Sequence, residues 1–212
     1  MRVSREKAAE HRDRIIDAAG ALFRAKGFGG IGVADIMKAA DLTHGGFYGH
    51  FASKDDLVAQ ASRRIMARAA ANWTKLVETA PDNPYAALLE HYLSPKHRDD
   101  PGKGCAFAAL GNDAARSGKI VRKAFAEGLA PLIDILAQSI PGKSTPGKST
   151  PSKSIPSKSI PSKSKAARRR KAVAAMATLV GALTMARAVE GTPLSDEMLE
   201  AAHRELAAAA RL

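Results

Sequence analysis

The chain has 212 residues, of which 45% are hydrophobic and 25% charged, and its formal net charge is +12. This length suits one sizeable core or two smaller domains, and it excludes a long multidomain assembly. The single cysteine, Cys105, excludes an intramolecular disulfide framework and an all-cysteine metal site. The first residues are charged where a secretory signal needs an apolar stretch, so we expect a cytoplasmic protein without a membrane span.

The N-terminal quarter of the chain has the pattern of three helices. Apolar residues recur at helical spacing over 4–26, and Gly27 provides a stop for this first helix. Two short helices are predicted at 33–40 and 43–50, joined by the tight link Asp41-Leu42. Two short helices at this spacing, braced by a first helix, are typical of a helix-turn-helix, so we predict such a domain over residues 1–52.

The two short helices also divide into an inward and an outward set of residues. The apolar set predicted to face inward is Val33, Ile36, Met37, Leu42 and Phe47. The small or polar set predicted to face outward, where a DNA groove can receive it, is Thr43, His44, Gly45, Gly46 and Tyr48.

The remainder of the chain, residues 53–212, is predicted to form a second helical domain. Ser53 followed by Asp56 is a capping box, and it opens a helix that runs to about Glu78. Further helical patterns lie at 84–94, 104–117, 119–139, 167–190 and 195–211, the last capped by Ser195. No stretch alternates with period two, so the predicted fold class is all-α.

A tandem repeat of five-residue units rich in Pro, Ser and Lys interrupts this second domain. Ten lysines and arginines and no acidic residue lie within 141–171, so the rest of the chain is nearly neutral. A five-residue period fits neither helix nor strand, and we predict a disordered basic insert over 141–167. The simpler interpretation is a neutral repeat expansion in a loop. The alternative is a basic tether, which would make the protein a non-specific DNA binder.

The stretch 172–186 carries no charge. Fifteen residues are too short for a hydrocarbon core of about 30 Å, so we predict a buried helix rather than a membrane span. A helix that is apolar all round needs partners on both faces, its own core on one and a second subunit on the other. The sequence therefore predicts a homodimer formed through 167–190 and 195–211.

Several side chains of the second domain have alternative interpretations. Cys105 fits a small buried hydrophobe better than a sensor thiol. A helical enzyme with Cys105 as nucleophile and His91 or His97 as base is the rival function, but no oxyanion site is recognisable. His91, His97 and Asp99 suggest a metal site only loosely, so we expect a solvated loop and no metal or cofactor.

The run L-T-H-G-G-F-Y-G-H-F-A-S-K-D-D-L at 42–57 closely resembles the recognition-helix signature of the TetR family of bacterial transcriptional repressors. The resemblance extends over about residues 10–60, and G-C-A-F-A-A-L at 104–110 and 179–189 resemble the ligand-binding and dimerisation region of some members. It implies a homodimer that binds a palindromic double-stranded DNA operator and releases it when a small-molecule effector enters the C-terminal domain.

The resemblance also assigns candidate site residues. Thr43, His44 and Gly45 would lie in the major groove. Tyr48 and His50 would contact the DNA backbone, and Lys54 would contact a phosphate. Two positions depart from the family: Gly32 replaces a capping Ser or Thr that touches phosphate, and Asp41 replaces a turn glycine. Apart from the resemblance, the candidate effector-pocket residues are Trp73, Tyr92, Cys105, Phe107 and Phe125, although aromatic residues at helical positions are more often part of a core.

Overall fold

A computed structural model describes residues 5–141 and 162–211, and every regular element in those two ranges is a helix. The all-α prediction is therefore confirmed. In chain order the elements are α1 (Arg5–Lys26), α2 (Val33–Ala39), a 3-10 helix (His44–Gly49), α3 (Lys54–Thr79), α4 (Pro84–Tyr92), α5 (Pro95–Asp99), α6 (Ala106–Arg116), α7 (Lys119–Ser139), α8 (Ser162–Ala188) and α9 (Pro193–Arg211).

The predicted ends of the first helices are confirmed by their caps. Gly27 has a φ of +74°, the left-handed conformation in which glycine ends a helix without strain. The Ser53 hydroxyl accepts a 3.1 Å hydrogen bond from the backbone N–H of Asp56, so it caps α3 as predicted. The Asp56 carboxylate in turn accepts from the backbone N–H of Ala52.

The predicted helices differ from the observed ones at three places. The second short helix is a 3-10 helix, and its N-cap, Thr43, makes no side-chain capping bond. Ser195 lies inside α9, which begins at Pro193, and its hydroxyl donates to the Ala186 carbonyl at the end of α8. The five-residue helix α5 was not predicted, because the pattern there is too short to show a period.

The start of α8 corrects the extent of the predicted insert. Residues 162–167 form the first turns of α8, whereas the sequence pattern assigned them to disorder. The physical reason is that the last proline of the repeat is at 161, and no proline or glycine then interrupts the chain before Gly181. Residues 142–161, which make up most of the predicted insert, lie outside the described part of the chain.

The first hydrophobic core joins the predicted DNA-binding helices to the helices that follow them. Its fully buried members include Ile15, Phe23, Ile36, Phe47 and Leu57. Residues of α6 and α7 complete the same core, so its packing continues past residue 52. The boundary between residues 52 and 53 stays a prediction.

The second core lies among α3, α4, α7, α8 and α9. Of the described helices, α3 and α7 pack most extensively against each other. Gly118, before α7, lies beside Asp55 at the start of α3. Further along, Gly128 packs so closely on Met66 that a Cβ would overlap it. The two helices therefore run parallel, both leading away from the 3-10 helix. With 21 residues at about 1.5 Å each, α7 ends about 30 Å from its start beside the 3-10 helix region.

Helix α8 is buried on one face and open on the other within a single chain. Its inward residues are Ala172, Ala175, Met176, Leu179, Ala182, Leu183 and Ala186. Its outward face includes Val173 and Met185, which are 47% and 49% exposed. The expectation of a partner on this second face is taken up below.

By length and composition alone, the part of α8 from Ser164 to Ala188 could cross a membrane. Of its apolar 18-residue stretch, 39% is buried inside the molecule. The fifteen-residue stretch on which the sequence argument rested is thus part of a longer helix. Core helices of folded domains pass the same test, so this finding is weak evidence for a span.

Candidate DNA-binding surface and ligand cavity

The turn between α2 and the 3-10 helix is held by Asp41. Its φ of +53° is the left-handed conformation, which a non-glycine residue adopts at a cost. The backbone N–H of Leu42 donates to the Met37 carbonyl at 2.9 Å. Arg14 of α1 donates to the Ala40 carbonyl and to the Asp41 carboxylate, so the first helix braces the turn.

Phe47 anchors the 3-10 helix and leaves its opposite face open. Phe47 is completely buried, and its ring packs 5.5 Å from the ring of Phe51. Tyr48, the next residue, is 73% exposed. Thr43, His44, Gly45 and Gly46 are exposed as well. The division into inward and outward residues that the sequence predicted is thus present, with Val33 and Leu42 only partly buried.

Lys54 is the first residue of α3, and Gly32 is the N-cap of α2. The Lys54 ammonium group donates to the carbonyls of Phe28 and Ile31, each at 2.6 Å, so it ties α3 to the loop before α2. Gly32 caps α2 without a side chain, and the Asp35 carboxylate accepts from its N–H at 3.1 Å. A phosphate contact by either residue stays a prediction.

His50 closes the 3-10 helix next to α1. Its ring lies 6.4 Å from that of His11 and is partly buried. Burial lowers the pKa of His50, and the neighbouring His11 and Arg12 lower it further. The side chain is therefore neutral near pH 7 in the free protein.

A cavity of about 610 Å³ lies between the two cores. Four of the five predicted pocket residues line it together: Trp73, Tyr92, Cys105 and Phe107. The fifth, Phe125, does not line it and lies behind Phe107 at a ring distance of 5.2 Å, in the first core. A cavity of this volume suits a small organic ligand.

Sequence reasoning missed the part of the cavity wall that comes from α1 and from the α5–α6 loop. Ile16, Gly20 and Arg24 of α1 line the cavity, as do Lys96 and Lys103. Helical periodicity assigns α1 to the DNA-binding domain and carries no sign that one side of it faces a ligand cavity. The cavity therefore connects the predicted DNA-binding helices with the second domain.

Comparison with known proteins bears on both regions. The family model described as bacterial regulatory proteins, tetR family, matches residues 15–61, which include α2, the 3-10 helix and their exposed face. The segment with the predicted helix-turn-helix is therefore similar to the tetR family. Among curated proteins, none matches the sequence significantly.

Solved structures extend the likeness from this segment to the whole fold. The reduced form of NemR from E. coli is 22% identical with a TM-score of 0.71, over 92% of this chain and 94% of that one. A TetR-family transcriptional regulator from Cytophaga hutchinsonii is 20% identical with a TM-score of 0.69, over 98% of both chains. FadR from Bacillus subtilis in complex with stearoyl-CoA is 16% identical with a TM-score of 0.63, over 92% of this chain and 96% of that one.

His97 organises one wall of the cavity. Its Nδ1 is 2.7 Å from the Tyr92 carbonyl, and its Nε2 accepts a 3.0 Å hydrogen bond from the backbone N–H of Cys105. Because both ring nitrogens are engaged with the backbone, His97 is not placed as a base for the Cys105 thiol.

The ring of His91 stacks on the ring of His97, with 6.1 Å between the ring centres, although the sequence spacing gave no sign of this contact. Within the described residues, no group of three or more His, Cys, Asp or Glu side chains could hold a metal ion.

We expect the free energy of unfolding to decrease as the pH falls from about 7.5 to about 5.5. Burial lowers the pKa of His97, with Arg187 and His91 acting in the same direction against the Tyr92 carbonyl. Between this lowered pKa and the ordinary value of about 6.5, the unfolded chain binds more protons than the folded one, so stability is lost below about pH 6.5. Burial likewise lowers the pKa of His91.

Denaturant unfolding at a series of pH values measures this dependence. The variant His97→Gln removes one titrating group, so its free energy of unfolding is expected to change less with pH than that of the unaltered protein. An identical pH slope for both proteins would show that His97 is not responsible.

Proposed function

We propose that the protein is a ligand-responsive transcriptional repressor that binds a palindromic DNA operator as a homodimer. The observation that carries this proposal is the 3-10 helix, in which Phe47 is wholly buried and Tyr48 is 73% exposed on the opposite face. Exposed Thr43, His44 and Gly45 adjoin Tyr48 and would enter the major groove. Gly32, Tyr48, His50 and Lys54 would face the phosphates.

The cavity supports the ligand-responsive part of the proposal. Its walls come from α1 and from α3, and α3 begins directly after the 3-10 helix. A ligand that fills the cavity would move these helices against each other and change the separation of two recognition helices, which must match half-sites about 34 Å apart. A hundredfold release requires about 2.7 kcal/mol of preference for the released state.

Selection of binding sites from random duplex DNA at two salt concentrations tests the DNA-binding part. An enriched short inverted repeat is the result expected for a dimeric operator reader. If no motif is enriched and binding disappears at moderate salt, the protein is instead a non-specific binder driven by its basic repeat.

On the selected operator, Tyr48→Ala is expected to lower DNA affinity about tenfold, since it removes one contact worth about 1 to 2 kcal/mol. Lys75→Ala, an exposed position in the distal half of α3, is the control and is expected to leave affinity unchanged. Electrophoretic mobility shift titrations measure both. Equal affinities for the two variants would remove Tyr48 from the interface.

A further inference from the structure

Two arginines beside the cavity lack an acidic partner. The Arg24 Nε donates to the Gly102 carbonyl at 2.7 Å, and Arg187 donates to the carbonyls of Arg98 and His97 at 3.0 and 2.7 Å. Among the described residues, no carboxylate lies within 4.0 Å of either guanidinium group. The Arg187 Nη1 atom is buried and has no hydrogen-bond partner there.

Both guanidinium groups adjoin Cys105. Burial lowers the pKa of Arg24 and of Arg187, and the proximity of Asp100 and Cys105 partly opposes this effect in each case. Arg24 lines the cavity directly. Arg187 borders it through Gly104, which is part of the lining, since a Cβ on Gly104 would lie 2.6 Å from Arg187 Nη2. Two partly desolvated positive charges therefore converge on one end of the cavity.

Tyr92 contributes an unpaired hydroxyl at the same end. Its side chain lines the cavity and is only 2% exposed, yet its hydroxyl has no hydrogen-bond partner in the described structure. The Cys105 thiol is near enough to raise the pKa of Tyr92, which burial already raises, but it does not meet hydrogen-bond geometry. A buried donor without a partner is costly, and a ligand acceptor at this position would remove that cost.

The same end of the cavity faces the start of an eleven-residue helix. Cys105 is the N-cap of α6 and makes no side-chain capping bond. The first backbone N–H groups of α6 are therefore uncapped by Cys105, and the positive end of the helix dipole adds to the two arginines.

The acidic residues of the cavity form their ion pairs with other side chains. Asp17 is paired with Arg64 and Arg68, and Asp100 is paired with Lys103 at 3.1 Å. Asp100 also raises the pKa of Arg24 and of Arg187, but neither guanidinium group is within ion-pair distance of it. The rest of the cavity is mainly apolar, with Ile65, Met66, Trp73, Phe107 and Leu132 in its lining. The cavity thus has a positively charged end and an apolar body.

We propose that the cavity binds an amphipathic anion, with its carboxylate or phosphate group at Arg24, Tyr92 and the start of α6, and its apolar part against Trp73. Arg187 supports the charge from behind Gly104. This inference rests on the proposed function in one respect only, namely that the anion bound in the cavity is the effector.

Trp73 allows direct measurement of binding, because it is the only tryptophan of the chain and lines the cavity. Fluorescence titrations with decanoate, decyl phosphate and 1-decanol compare three head groups on one apolar chain. We expect at least one of the two anions to bind the unaltered protein at least tenfold more tightly than 1-decanol. The ratio of the two anions shows whether the site favours a carboxylate or a phosphate.

Three variants locate the site. Arg24→Gln is expected to reduce the preference for the anion at least tenfold, and Arg24→Lys to retain part of it. Tyr92→Phe keeps the buried ring and is expected to weaken anion binding about threefold to tenfold. Arg63→Gln is the matched control, because Arg63 pairs with Glu127 and does not line the cavity. Thermal melting confirms that each variant folds.

Equal binding of 1-decanol and both anions would overturn the inference, as would no change in Trp73 fluorescence with any of the three compounds. Operator binding is measured separately, so the two proposals can fail independently. If a neutral compound enters the cavity and releases the operator, the proposed function stands and the anion site is wrong. If an anion binds through Arg24 without releasing the operator, the anion site stands and the proposed regulation is wrong.

Discussion

Ala177→Glu, on the outward face of α8, is expected to break the homodimer that we propose. Ala177 is exposed within a single chain and lies between the exposed residues Val173 and Met185. In a two-fold symmetric dimer the same face of both subunits meets, so one substitution places two carboxylates in an apolar interface. Like charges buried in this way cost several kcal/mol, and we expect the dimer to weaken at least a hundredfold.

Light scattering and operator titrations measure the consequence of this substitution. Operator affinity is expected to fall together with the dimer, since a palindrome is read by two recognition helices. Ala71→Glu is the matched control, because Ala71 is an exposed alanine of α3 away from this face. It is expected to leave mass and affinity unchanged. A monomeric mass for the unaltered protein at all concentrations would refute the homodimer.

Phe47→Ala is expected to reduce the free energy of unfolding by about 3 to 5 kcal/mol. The Phe47 side chain is completely buried and packs on Phe51 beneath the 3-10 helix, so its truncation leaves a cavity in the first core. A 3-10 helix of six residues has little stability of its own, and this anchor holds it on α2 and α3. Operator binding is therefore expected to be lost as well.

Urea unfolding measures the free energy of unfolding of three variants, Phe47→Ala, Phe47→Leu and Tyr48→Ala. The comparison separates the effect of core packing from the effect of a lost DNA contact. Phe47→Leu keeps most of the buried volume and is expected to cost less. Tyr48→Ala removes a neighbouring aromatic ring that is mostly exposed, so stability is expected to change by at most about 0.5 kcal/mol. A loss under 1 kcal/mol for Phe47→Ala would show that Phe47 is not the anchor.

The longer helices could be predicted because each has a buried stripe and a local stop signal. Gly27 and Ser53 are examples whose side chains or conformation mark the boundary within one turn. The 3-10 geometry of His44–Gly49 could not be predicted in the same way. Two adjacent glycines weaken the α-helix, and the buried Phe47 then fixes the short segment through tertiary packing.

The two functional regions differed in how far the sequence could locate them. The outward residues near Tyr48 are contiguous in the chain, so a local pattern describes them completely. The cavity combines Arg24 of α1, Trp73 of α3 and Cys105 before α6, which are distant in sequence. Four of the lining residues, which are aromatic or contain sulfur, were predicted from the sequence. The two arginines were not, because each comes from a different helix and no local sequence pattern connects them.

The parallel course of α3 and α7 decides where the repeated Pro-Ser-Lys segment joins the fold. Since α7 ends about 30 Å from the 3-10 helix region, the chain enters this segment far from the predicted DNA-binding surface. Gain or loss of a five-residue unit by replication slippage would keep the reading frame and leave the register of every described helix unchanged. A change in repeat number would therefore leave the sequence of the predicted DNA-binding helices unaltered.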